Sequence, residues 1–336
     1  MKYFLKTYGC QMNVSDAEQI SGWYESQGWQ AAQTIDKADE IVIVTCSVRQ
    51  TAEDRVYGLI NNLSKSKKPK QKIILTGCML RYPLKWLKEK MPQVDEFRKM
   101  NEFKAKDKIR KSKTQTFVPI MEGCNQFCSY CVVPSARGRE KSRPFVEIIC
   151  EVKELAKRGY QEITLLGQNV NSYGKDLKKA KKSFANLLKE IHQVKGIKKI
   201  SFLTSNPWDL TEEIIEAMKL PKIDHYLHLP VQSGDDKILK KMNRKYTGKQ
   251  YLELLEKIRK QIPEIKMGTD IIVGFPGEND KQFKNTVDLC KKAKFTKAYV
   301  AIYSPRIGTV AFKLKDDVSH QEKKRRWKIL DDLINH

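Results

Sequence analysis

Three of the eight cysteines stand close together, in the run Cys124-Asn-Gln-Phe-Cys128-Ser-Tyr-Cys131. The run directly follows a predicted strand, so its three thiolates can reach one centre. A structural zinc site normally takes four protein ligands, and no fourth cysteine or histidine is near in the sequence. Three cysteines that hold a 4Fe–4S cluster would leave one iron open to an exogenous ligand. The alternative, a disulfide with a spare thiol, is disfavoured in a reducing cytoplasm.

A second set of three cysteines shares one position relative to predicted strands. Cys10, Cys46 and Cys78 each lie just past a strand, in KTYGC, IVTC and LTGC. Because the carboxyl ends of parallel strands meet at the edge of a sheet where ligands bind, we expect these thiols to converge. The alternative is three unrelated small core residues, since free cysteine is often buried. Cys150 and Cys290 fall inside amphipathic helices, and we expect both to be packing residues.

The elements that must position the second set lie in the first third of the chain. Strands are predicted at Tyr3–Tyr8, Glu40–Thr45 and Lys72–Thr76, with amphipathic helices at Ser15–Gly28 and Ser47–Ser64. Alternating strands and helices predict a parallel α/β sheet, which we interpret as a doubly wound one.

Two basic segments interrupt this pattern. The stretch LSKSKKPKQK at 63–72 predicts a basic loop, and RKMNEFKAKDKIRKSK at 98–113 is polar and basic with no clear apolar stripe. The second stretch is the best candidate for a domain boundary. We therefore expect an N-terminal domain at 1–97, a basic linker at 98–113 and a second domain at 114–336.

The alternation resumes after the linker. Strands are predicted at Thr116–Met121, Glu162–Leu166, Lys199–Leu203, Tyr226–Leu229, Lys266–Val273 and Lys297–Tyr303. Helices are predicted at Val146–Arg158, Phe184–Val194, Thr211–Met218, Gly248–Ile262, Asp280–Ala293 and His320–Asn335. Six β/α units over about 220 residues are fewer than the eight of a complete TIM barrel. Periodicity alone leaves a partial (β/α)6 barrel and a doubly wound sheet both open.

The charge balance points to a polyanionic partner. Lysine and arginine number 64 against 40 aspartates and glutamates, a formal net charge of +24. Such a surface favours nucleic acid, although a general bias toward lysine would give the same number. No run of ~18 apolar residues predicts a transmembrane helix. Lys6 interrupts what would be the apolar part of a secretory signal, so we expect a cytoplasmic protein with no membrane contact.

The text around the cysteines resembles a known family. The CxxxCxxC run at the end of a first barrel strand is similar to that of the radical S-adenosylmethionine superfamily. The segments KTYGCQMNVSDAE, VTCSVRQTAEDR, TGCMLR, MEGCNQFCSYCVVPSARGREKSRP, LLGQNVNSYG, LHLPVQSG and DIIVGFPGE resemble the methylthiotransferase family within it. They are most similar to the tRNA 2-methylthio-N(6)-isopentenyladenosine synthase branch, from about Lys2 to Leu333.

The resemblance implies two 4Fe–4S clusters and S-adenosylmethionine. Cys10, Cys46 and Cys78 would hold an auxiliary cluster in the first domain. Cys124, Cys128 and Cys131 would hold the S-adenosylmethionine cluster in a partial barrel. The C2–H of adenine is neither acidic nor electrophilic, so a side-chain base cannot activate it. Reductive cleavage of S-adenosylmethionine gives a 5′-deoxyadenosyl radical that can remove this hydrogen, while the protein supplies position and a dry site.

The resemblance also implies roles for side chains near the clusters, and no catalytic acid or base among them. Tyr130 would pack on the adenine of S-adenosylmethionine, unless it is an ordinary core residue. Polar residues that follow barrel strands would face the cofactor; they are Gln168, Asn169, Ser172, Ser205, Gln232 and Asp270. Three arginines after the cluster loop, Arg137, Arg139 and Arg143, could hold a carboxylate or a phosphate, or could be solvated charges.

The implied reaction is methylthio transfer to C2 of N(6)-isopentenyladenosine beside the tRNA anticodon. Rival targets are N(6)-threonylcarbamoyladenosine in tRNA and a ribosomal-protein aspartate, and the text Gln11-Met12-Asn13 favours the first. A rival of another class is a non-catalytic iron–sulfur protein that binds RNA, but such a protein would not need six polar residues at strand ends facing one mouth of the barrel.

The implied partners are the tRNA anticodon stem-loop and an electron donor such as flavodoxin or ferredoxin, and we expect a monomer. Family members usually continue past a helix ending near Leu333 into a small all-β RNA-binding module, whereas the sequence given ends at His336. Asn206 stands where many relatives have histidine.

Overall fold

The fold is described by a computed structural model that covers residues 1–105, 107–177 and 182–336. Met1–Lys113 and Ser135–Gly138 form one compact unit, and Thr114–Pro134 and Arg139–His336 form a second. The basic segment at 98–113, expected as a linker, packs with the first unit. Its Arg110 side chain is buried, with a guanidinium nitrogen 3.7 Å from the carboxylate of Glu18. Lys106 of this segment lies outside the described residues.

The first unit is built on a five-stranded parallel sheet. Its strands are β1 (Lys2–Thr7), β2 (Gln30–Ala31), β3 (Glu40–Thr45), β4 (Lys72–Gly77) and β5 (Glu96–Phe97). Its helices are α1 (Gln11–Ser26), α2 (Gln50–Ser66) and α3 (Leu84–Lys90). The strands lie in the order β2-β1-β3-β4-β5, and all their pairings are parallel.

The central strand β3 contributes to two cores, which explains its unbroken apolar sequence. Ile41 and Ile43 pack with side chains of α2, whereas Val42 and Val44 pack with side chains of α1. Helices therefore cover both faces of the sheet, and the doubly wound prediction is confirmed. The two-residue strands β2 and β5 and the short helix α3 were not predicted, because they are too short to show a periodicity.

The second unit carries the remaining elements. Its strands are β6 (Gln115–Pro119), β7 (Met121–Glu122), β8 (Lys141–Ser142), β9 (Glu162–Leu166), β10 (Lys199–Phe202), β11 (Tyr226–His228), β12 (Lys266–Val273) and β13 (Lys297–Ile302). Its helices are α4 (Val133–Arg137), α5 (Phe145–Lys157), α6 (Phe184–His192), α7 (Glu212–Met218), α8 (Asp236–Lys241), α9 (Gly248–Gln261), α10 (Asp280–Ala293) and α11 (His320–Asn335). The last three residues of α4 belong to the first unit. The small antiparallel pair β7–β8 was not predicted.

The order of the long strands distinguishes a barrel from a doubly wound sheet. One sheet has the order β10-β9-β6 and another the order β11-β12-β13. A parallel bridge between Ile200 of β10 and Ile223, shortly before β11, joins them. The spatial order β6-β9-β10-β11-β12-β13 is thus the chain order, without the reversal of a doubly wound sheet. Within the described ranges no pairing joins β13 to β6, so the (β/α)6 barrel is partial, as predicted.

The helices pack on one face of this sheet. In β12, Met267, Ile271 and Val273 belong to the main core together with apolar residues of α9 and α10. Cys290 of α10 is buried in the same core, as expected. Cys150 is exposed on α5, so its predicted packing role was wrong. None of the helices in the described part of the chain is long and apolar enough to cross a membrane.

Candidate metal centres and cofactor site

The first cysteine triplet lies at three neighbouring strand ends of the first unit. Cys10 immediately precedes α1, Cys46 directly follows β3, and Cys78 directly follows β4 and begins a 3₁₀ turn. Their strands β1, β3 and β4 are adjacent in the sheet. Each of the three thiols interacts electrostatically with the other two. The expected convergence is therefore present in the structure.

Two glycines make room for this convergence. Gly9 precedes Cys10 and has a φ of +116°, and a Cβ added to it would lie 2.7 Å from the Cβ of Cys46. Gly77 precedes Cys78 and has a φ of +91°, and an added Cβ would lie 2.6 Å from the carbonyl oxygen of Thr45. Both positions need a left-handed backbone and a missing side chain, which only glycine supplies without strain.

Two polar side chains join the three strand ends. The amide of Asn13 donates hydrogen bonds to the carbonyl oxygens of Tyr8, at 2.6 Å, and Thr45, at 3.0 Å. The hydroxyl of Thr45 donates to the carbonyl oxygen of Thr76 at 2.6 Å and accepts from the amide of Met79 at 3.1 Å. These bonds hold the residues before Cys10, Cys46 and Cys78 in register without using any thiol.

A buried arginine lies beside the first triplet. Nε of Arg137 donates to Sγ of Cys78 at 3.4 Å, and its Nη2 donates to Asn13 Oδ1 at 2.8 Å and to Asp16 Oδ2 at 2.6 Å. Burial raises the pKa of Cys78 to about 11, although the Arg137 charge opposes this shift. Burial also raises the pKa of Cys46, against a hydrogen bond from the Val48 amide. Arg137 thus holds the carboxylate of Asp16, a residue of its own unit.

The second triplet lies on the loop between β7 and α4. The amide of Cys131 donates to the carbonyl oxygen of Cys128 at 2.9 Å, and the thiols of Cys124, Cys128 and Cys131 all interact electrostatically. Burial raises the pKa of Cys124 to about 11 and that of Cys131 to about 12. Thiolates in such a setting need nearby positive charge, which bound iron would provide.

Contacts from other elements fix the shape of this loop. Gln168, a predicted site residue, accepts a hydrogen bond from the amide of Gly123 at 2.5 Å. The Ser129 hydroxyl donates to the carbonyl oxygen of Lys241 at 2.8 Å. Phe127 adopts a φ of 49°, which is uncommon for an aromatic residue. The structure thus places Gln168 as a support of the cysteine loop.

The side chains of both triplets have the composition of iron–sulfur cluster ligands. Within the described ranges, no group of three or more histidine, cysteine, aspartate or glutamate side chains is arranged to hold one metal ion. A four-iron cluster is wider, because each thiolate binds a different iron. Three cysteine thiols without histidine or carboxylate are the ligands that iron–sulfur clusters use. Both triplets have this composition.

Sequence reasoning missed an arginine beside the second triplet. Nη1 of Arg244 donates to Sγ of Cys128 at 3.5 Å, although 116 residues separate them. Its Nη2 donates to the carbonyl oxygen of Pro230 at 2.7 Å and its Nε to the hydroxyl of Tyr246 at 3.1 Å. The guanidinium also lies 4.7 Å from the ring centre of Trp208. No local sequence signal connects Arg244 with the cysteine motif.

A second missed residue, Asp209, is the centre of a buried hydrogen-bond network. Its Oδ2 accepts from Ser172 Oγ at 2.6 Å, Asn206 Nδ2 at 2.6 Å, Gln126 Nε2 at 3.1 Å and Asn169 Nδ2 at 3.2 Å. Its Oδ1 pairs with the ammonium of Lys175. Burial alone would raise the pKa of Asp209, but the bonds from Lys175, Ser172 and Asn206 outweigh it and lower this pKa.

The network connects the cysteine loop with the segments after β9 and β10. Gln126 lies inside the CxxxCxxC run, Asn169 and Ser172 follow β9, and Asn206 follows β10. Two of the predicted cofactor residues, Asn169 and Ser172, are therefore bound to Asp209. The sequence feature that could have indicated Asp209 is the motif NPWD after β10, in which the Asn206 side chain accepts a hydrogen bond from the backbone amide of Asp209 at 2.9 Å.

Two predicted residues present buried polar atoms that have no partner among the described residues. They are Oγ of Ser205, in a residue 4% exposed, and Oε1 of Gln232, in a residue 8% exposed. Ser205 follows β10 and Gln232 follows β11. An unsatisfied buried polar atom costs roughly 1–3 kcal/mol, so both atoms favour a polar ligand at this end of the barrel.

Two further predicted residues have contacts within the second unit. Tyr130 packs against the apolar cluster that contains Phe275 and Tyr303. Asp270 lies within β12 rather than after it, so its predicted position was wrong. Its Oδ2 lies 2.9 Å from Nε2 of His228. Asp270 alternates with the core residues of β12, so it points to the face opposite the helices.

The other two arginines after the cluster loop have partners in the chain. Nη1 of Arg143 donates to Glu151 Oε2 at 2.8 Å and to the carbonyl oxygen of Pro119 at 2.6 Å. The exposed Arg139 places its guanidinium 4.5 Å from the ring centre of Phe127. Arg143 therefore holds a carboxylate of its own unit, and Arg139 lies over the cysteine loop.

The comparisons with known proteins agree with this geometry. Residues 118–290 match the Radical SAM superfamily, and residues 2–99 match a family described as Uncharacterized protein family UPF0004. A radical S-adenosylmethionine methyltransferase, TsrM, from Kitasatospora setae has a similar fold, with 12% identity, a TM-score of 0.61 and coverage of 89% of this chain and 72% of that chain. The prediction of a radical SAM barrel is confirmed.

Two curated relatives are much more similar in sequence. A tRNA-2-methylthio-N(6)-dimethylallyladenosine synthase from Thermoanaerobacter sp. (strain X514) is 44% identical in an alignment of 366 positions, gaps included, that covers 99% of this chain and 78% of that protein. One from Clostridium tetani (strain Massachusetts / E88) is 43% identical, with 99% and 81% covered. The chain therefore belongs to the radical SAM superfamily and, within it, to the family of the tRNA-2-methylthio-N(6)-dimethylallyladenosine synthases.

Proposed function

We propose that this chain transfers a methylthio group to C2 of N(6)-isopentenyladenosine beside the anticodon of tRNA. The observation that carries the proposal is the pair of cysteine triplets, each gathered at strand ends of its own unit. Two curated relatives, 43% and 44% identical to this chain, are named for this modification. Their name favours the isopentenyl (dimethylallyl) substrate over a threonylcarbamoyl adenosine or a protein aspartate.

Each triplet would hold one 4Fe–4S cluster. Cys124, Cys128 and Cys131 would leave one iron of their cluster for S-adenosylmethionine, and Cys10, Cys46 and Cys78 would hold the auxiliary cluster. When bound, these groups supply the one-electron chemistry that lets an unactivated C–H bond be replaced.

The chain's own residues would bind S-adenosylmethionine and orient the cysteine loop. The unpartnered hydroxyl of Ser205 would donate or accept a hydrogen bond with a polar group of S-adenosylmethionine, and Oε1 of Gln232 would accept one. Gln168 holds the start of the cysteine loop, and the Asp209 network holds its Gln126. Tyr130 would close one side of the adenine site, and Arg143 and Asp270 would contribute charge at its rim.

The substrate RNA would be held through its phosphates. The formal net charge is +24, and Lys104, Lys111 and Lys113 of the segment 98–113 are exposed. Such contacts give affinity without sequence specificity, so the choice of nucleoside would come from the flipped adenine and its N(6) substituent. We further propose a cytoplasmic monomer that receives electrons from a flavodoxin or ferredoxin.

The proposal is tested with reconstituted protein and three anticodon stem-loop RNAs. They carry N(6)-isopentenyladenosine, N(6)-threonylcarbamoyladenosine or plain adenosine at the same position. After reduction with dithionite in the presence of S-adenosylmethionine, nucleosides are analysed by mass spectrometry and 5′-deoxyadenosine is quantified. We expect the 2-methylthio product only from the first RNA. Product from the second RNA alone would overturn the substrate assignment, and a lack of 5′-deoxyadenosine would overturn the reaction.

A further inference from the structure

Each cysteine triplet has one arginine that donates a hydrogen bond to one of its sulfur atoms. Arg137 donates to Cys78 at 3.4 Å, and Arg244 donates to Cys128 at 3.5 Å. What they share is a guanidinium placed against a thiol that the proposed function assigns to a cluster.

The two arginines differ in how their charge is balanced. Arg137 forms an ion pair with the carboxylate of Asp16 at 2.6 Å, so the pair is neutral as a whole. Arg244 pairs with no carboxylate among the described residues. Its other contacts are the neutral carbonyl oxygen of Pro230, the hydroxyl of Tyr246 and the ring of Trp208. Arg244 therefore places a positive charge that no described carboxylate balances beside Cys128.

Arg244 is held in place independently of the thiol. Its Nη2 and Nε each donate to a fixed partner, and the guanidinium plane lies near the face of an aromatic ring, which restricts it further. The remaining donor, Nη1, is the one that faces Sγ of Cys128. The positive charge would remain there whether Cys128 is a thiol or a coordinated thiolate.

We propose that Arg244 sets the reduction potential of the 4Fe–4S cluster that Cys124, Cys128 and Cys131 hold, an inference that rests on the proposed function. Reduction adds one electron, taken from an external one-electron donor, and thus one negative charge to the cluster. A positive charge and an N–H donor at a coordinating sulfur stabilise the reduced form more than the oxidised form. Arg244 makes this cluster easier to reduce, as its reaction requires.

The test isolates one cluster at a time. In a background with Cys10, Cys46 and Cys78 replaced by Ala, the potential of the remaining cluster is measured by titration with dithionite and mediators, followed by electron paramagnetic resonance. We expect Arg244→Gln to make the equilibrium constant for reduction at least tenfold less favourable, which is ~59 mV for a one-electron couple. A fully loaded Arg244→Gln cluster with an unchanged potential would overturn the inference.

Arg244→Lys separates charge from folding. It keeps the positive charge, so we expect its potential to stay within about threefold of the parent in equilibrium constant. A tenfold loss in Arg244→Lys would mean that the planar fork, not the charge, is decisive, and would overturn the charge account. This variant also decides the question if circular dichroism shows that Arg244→Gln does not fold.

The neutral pair at the other triplet is the matched control. In a background with Cys124, Cys128 and Cys131 replaced by Ala, the double variant Arg137→Gln/Asp16→Asn removes a balanced pair. We expect it to change the equilibrium constant for reduction by less than about threefold, and a shift as large as that of Arg244→Gln would contradict the role of uncompensated charge. A parent chain that shows no cluster signal would overturn the proposed function together with this inference. A loaded cluster whose reduction potential does not change in Arg244→Gln would overturn the inference alone.

Discussion

The side-chain amide of Asn13 donates a 3.0 Å hydrogen bond to the carbonyl oxygen of Thr45, 32 residues further along the chain. Asn13 lies three residues after Cys10, and Thr45 immediately precedes Cys46. This one bond therefore fixes the distance between two strand ends that carry cysteines. It is buried, so water cannot replace it.

We expect Asn13→Asp to remove this donor and to place a carboxylate against two carbonyl oxygens. The free energy of unfolding of the cluster-free chain should fall by roughly 1–3 kcal/mol, measured by urea denaturation. The iron content of the reconstituted chain should also fall. The control is Asn62→Asp, an exposed position on α2 that should leave both quantities unchanged.

Gly77→Ala should destabilise the first unit more than Gly28→Ala. Both glycines have a positive φ, but an added Cβ meets the Thr45 carbonyl oxygen at 2.6 Å in the first case and nothing within 4 Å in the second. The left-handed backbone alone costs an alanine roughly 1–2 kcal/mol, so urea unfolding should show a loss of ~1–2 kcal/mol for Gly28→Ala and clearly more for Gly77→Ala. Equal losses would mean that the backbone near Cys78 yields to the extra atom.

Iron analysis should separate the two triplets. We expect about eight irons per chain, four for each triplet. Replacing Cys124, Cys128 and Cys131 by Ala should halve the iron and abolish formation of 5′-deoxyadenosine. Replacing Cys10, Cys46 and Cys78 should also halve the iron but leave uncoupled cleavage of S-adenosylmethionine. The exposed Cys150 provides the control, because Cys150→Ala should change neither. If the second triple variant makes no 5′-deoxyadenosine, the triplets do not have separate roles.

Asp209 should make stability depend on pH in acid. Its pKa is lowered in the folded chain from the ordinary 3.8, so its bonds contribute stability above pH ~3.8 that is lost as the pH falls through the folded pKa. Asp209→Asn removes the charge that Lys175 pairs with. We expect the variant to be less stable by roughly 1–3 kcal/mol at pH 7, measured by urea denaturation of the cluster-free chain. The difference should shrink in acid, and a constant difference from pH 7 to 3 would contradict the assignment.

Exposed lysines of the basic segment should hold RNA through phosphates. Lys104→Glu, Lys111→Glu and Lys113→Glu together should weaken binding of all tRNAs alike, without changing which nucleoside is modified. Affinity of the parent should fall by ~0.7–0.9 log units per log unit of salt for each phosphate neutralised, and the triple variant should have a flatter slope. Glutamates at the exposed Lys284, Lys291 and Lys292 of α10 give an equal change in charge as a control. Parent binding that barely changes with salt would contradict the electrostatic account.

Much of the fold follows from local pattern, and the rest depends on pairing that no local pattern encodes. The unbroken apolar run of β3 and the strands at Glu162–Leu166 and Lys266–Val273 were predicted with their observed ends. Periodicity left the choice between a barrel and a doubly wound sheet open, because it depends on which strands pair, and only the family resemblance predicted the barrel. The bridge from Ile200 to Ile223 determines it in the structure.

The residues of the candidate site likewise fall into those that local sequence predicts and those that depend on distant contacts. Cys10, Cys46 and Cys78 were found because each follows a strand, and Cys124, Cys128 and Cys131 by their CxxxCxxC spacing; both features are visible in the local sequence. Arg244 and Asp209 were not, because their contacts with Cys128 and Gln126 span 116 and 83 residues. Asp270 was misplaced because a polar residue inside a long strand resembles one at its end. Cys150 was misjudged because an amphipathic pattern does not determine how far the buried face extends.

The assignment of Ser135–Gly138 to the first unit means that the two units are not consecutive modules of the gene. An excised second half that begins at Thr114 would separate Arg137 from the carboxylate of Asp16, with which it forms an ion pair. A first half that ends at Lys113 would lose the donor to Cys78. Recombination that exchanges either half between relatives therefore has to carry matching residues on both sides of the join, which ties the inheritance of the two cysteine triplets together.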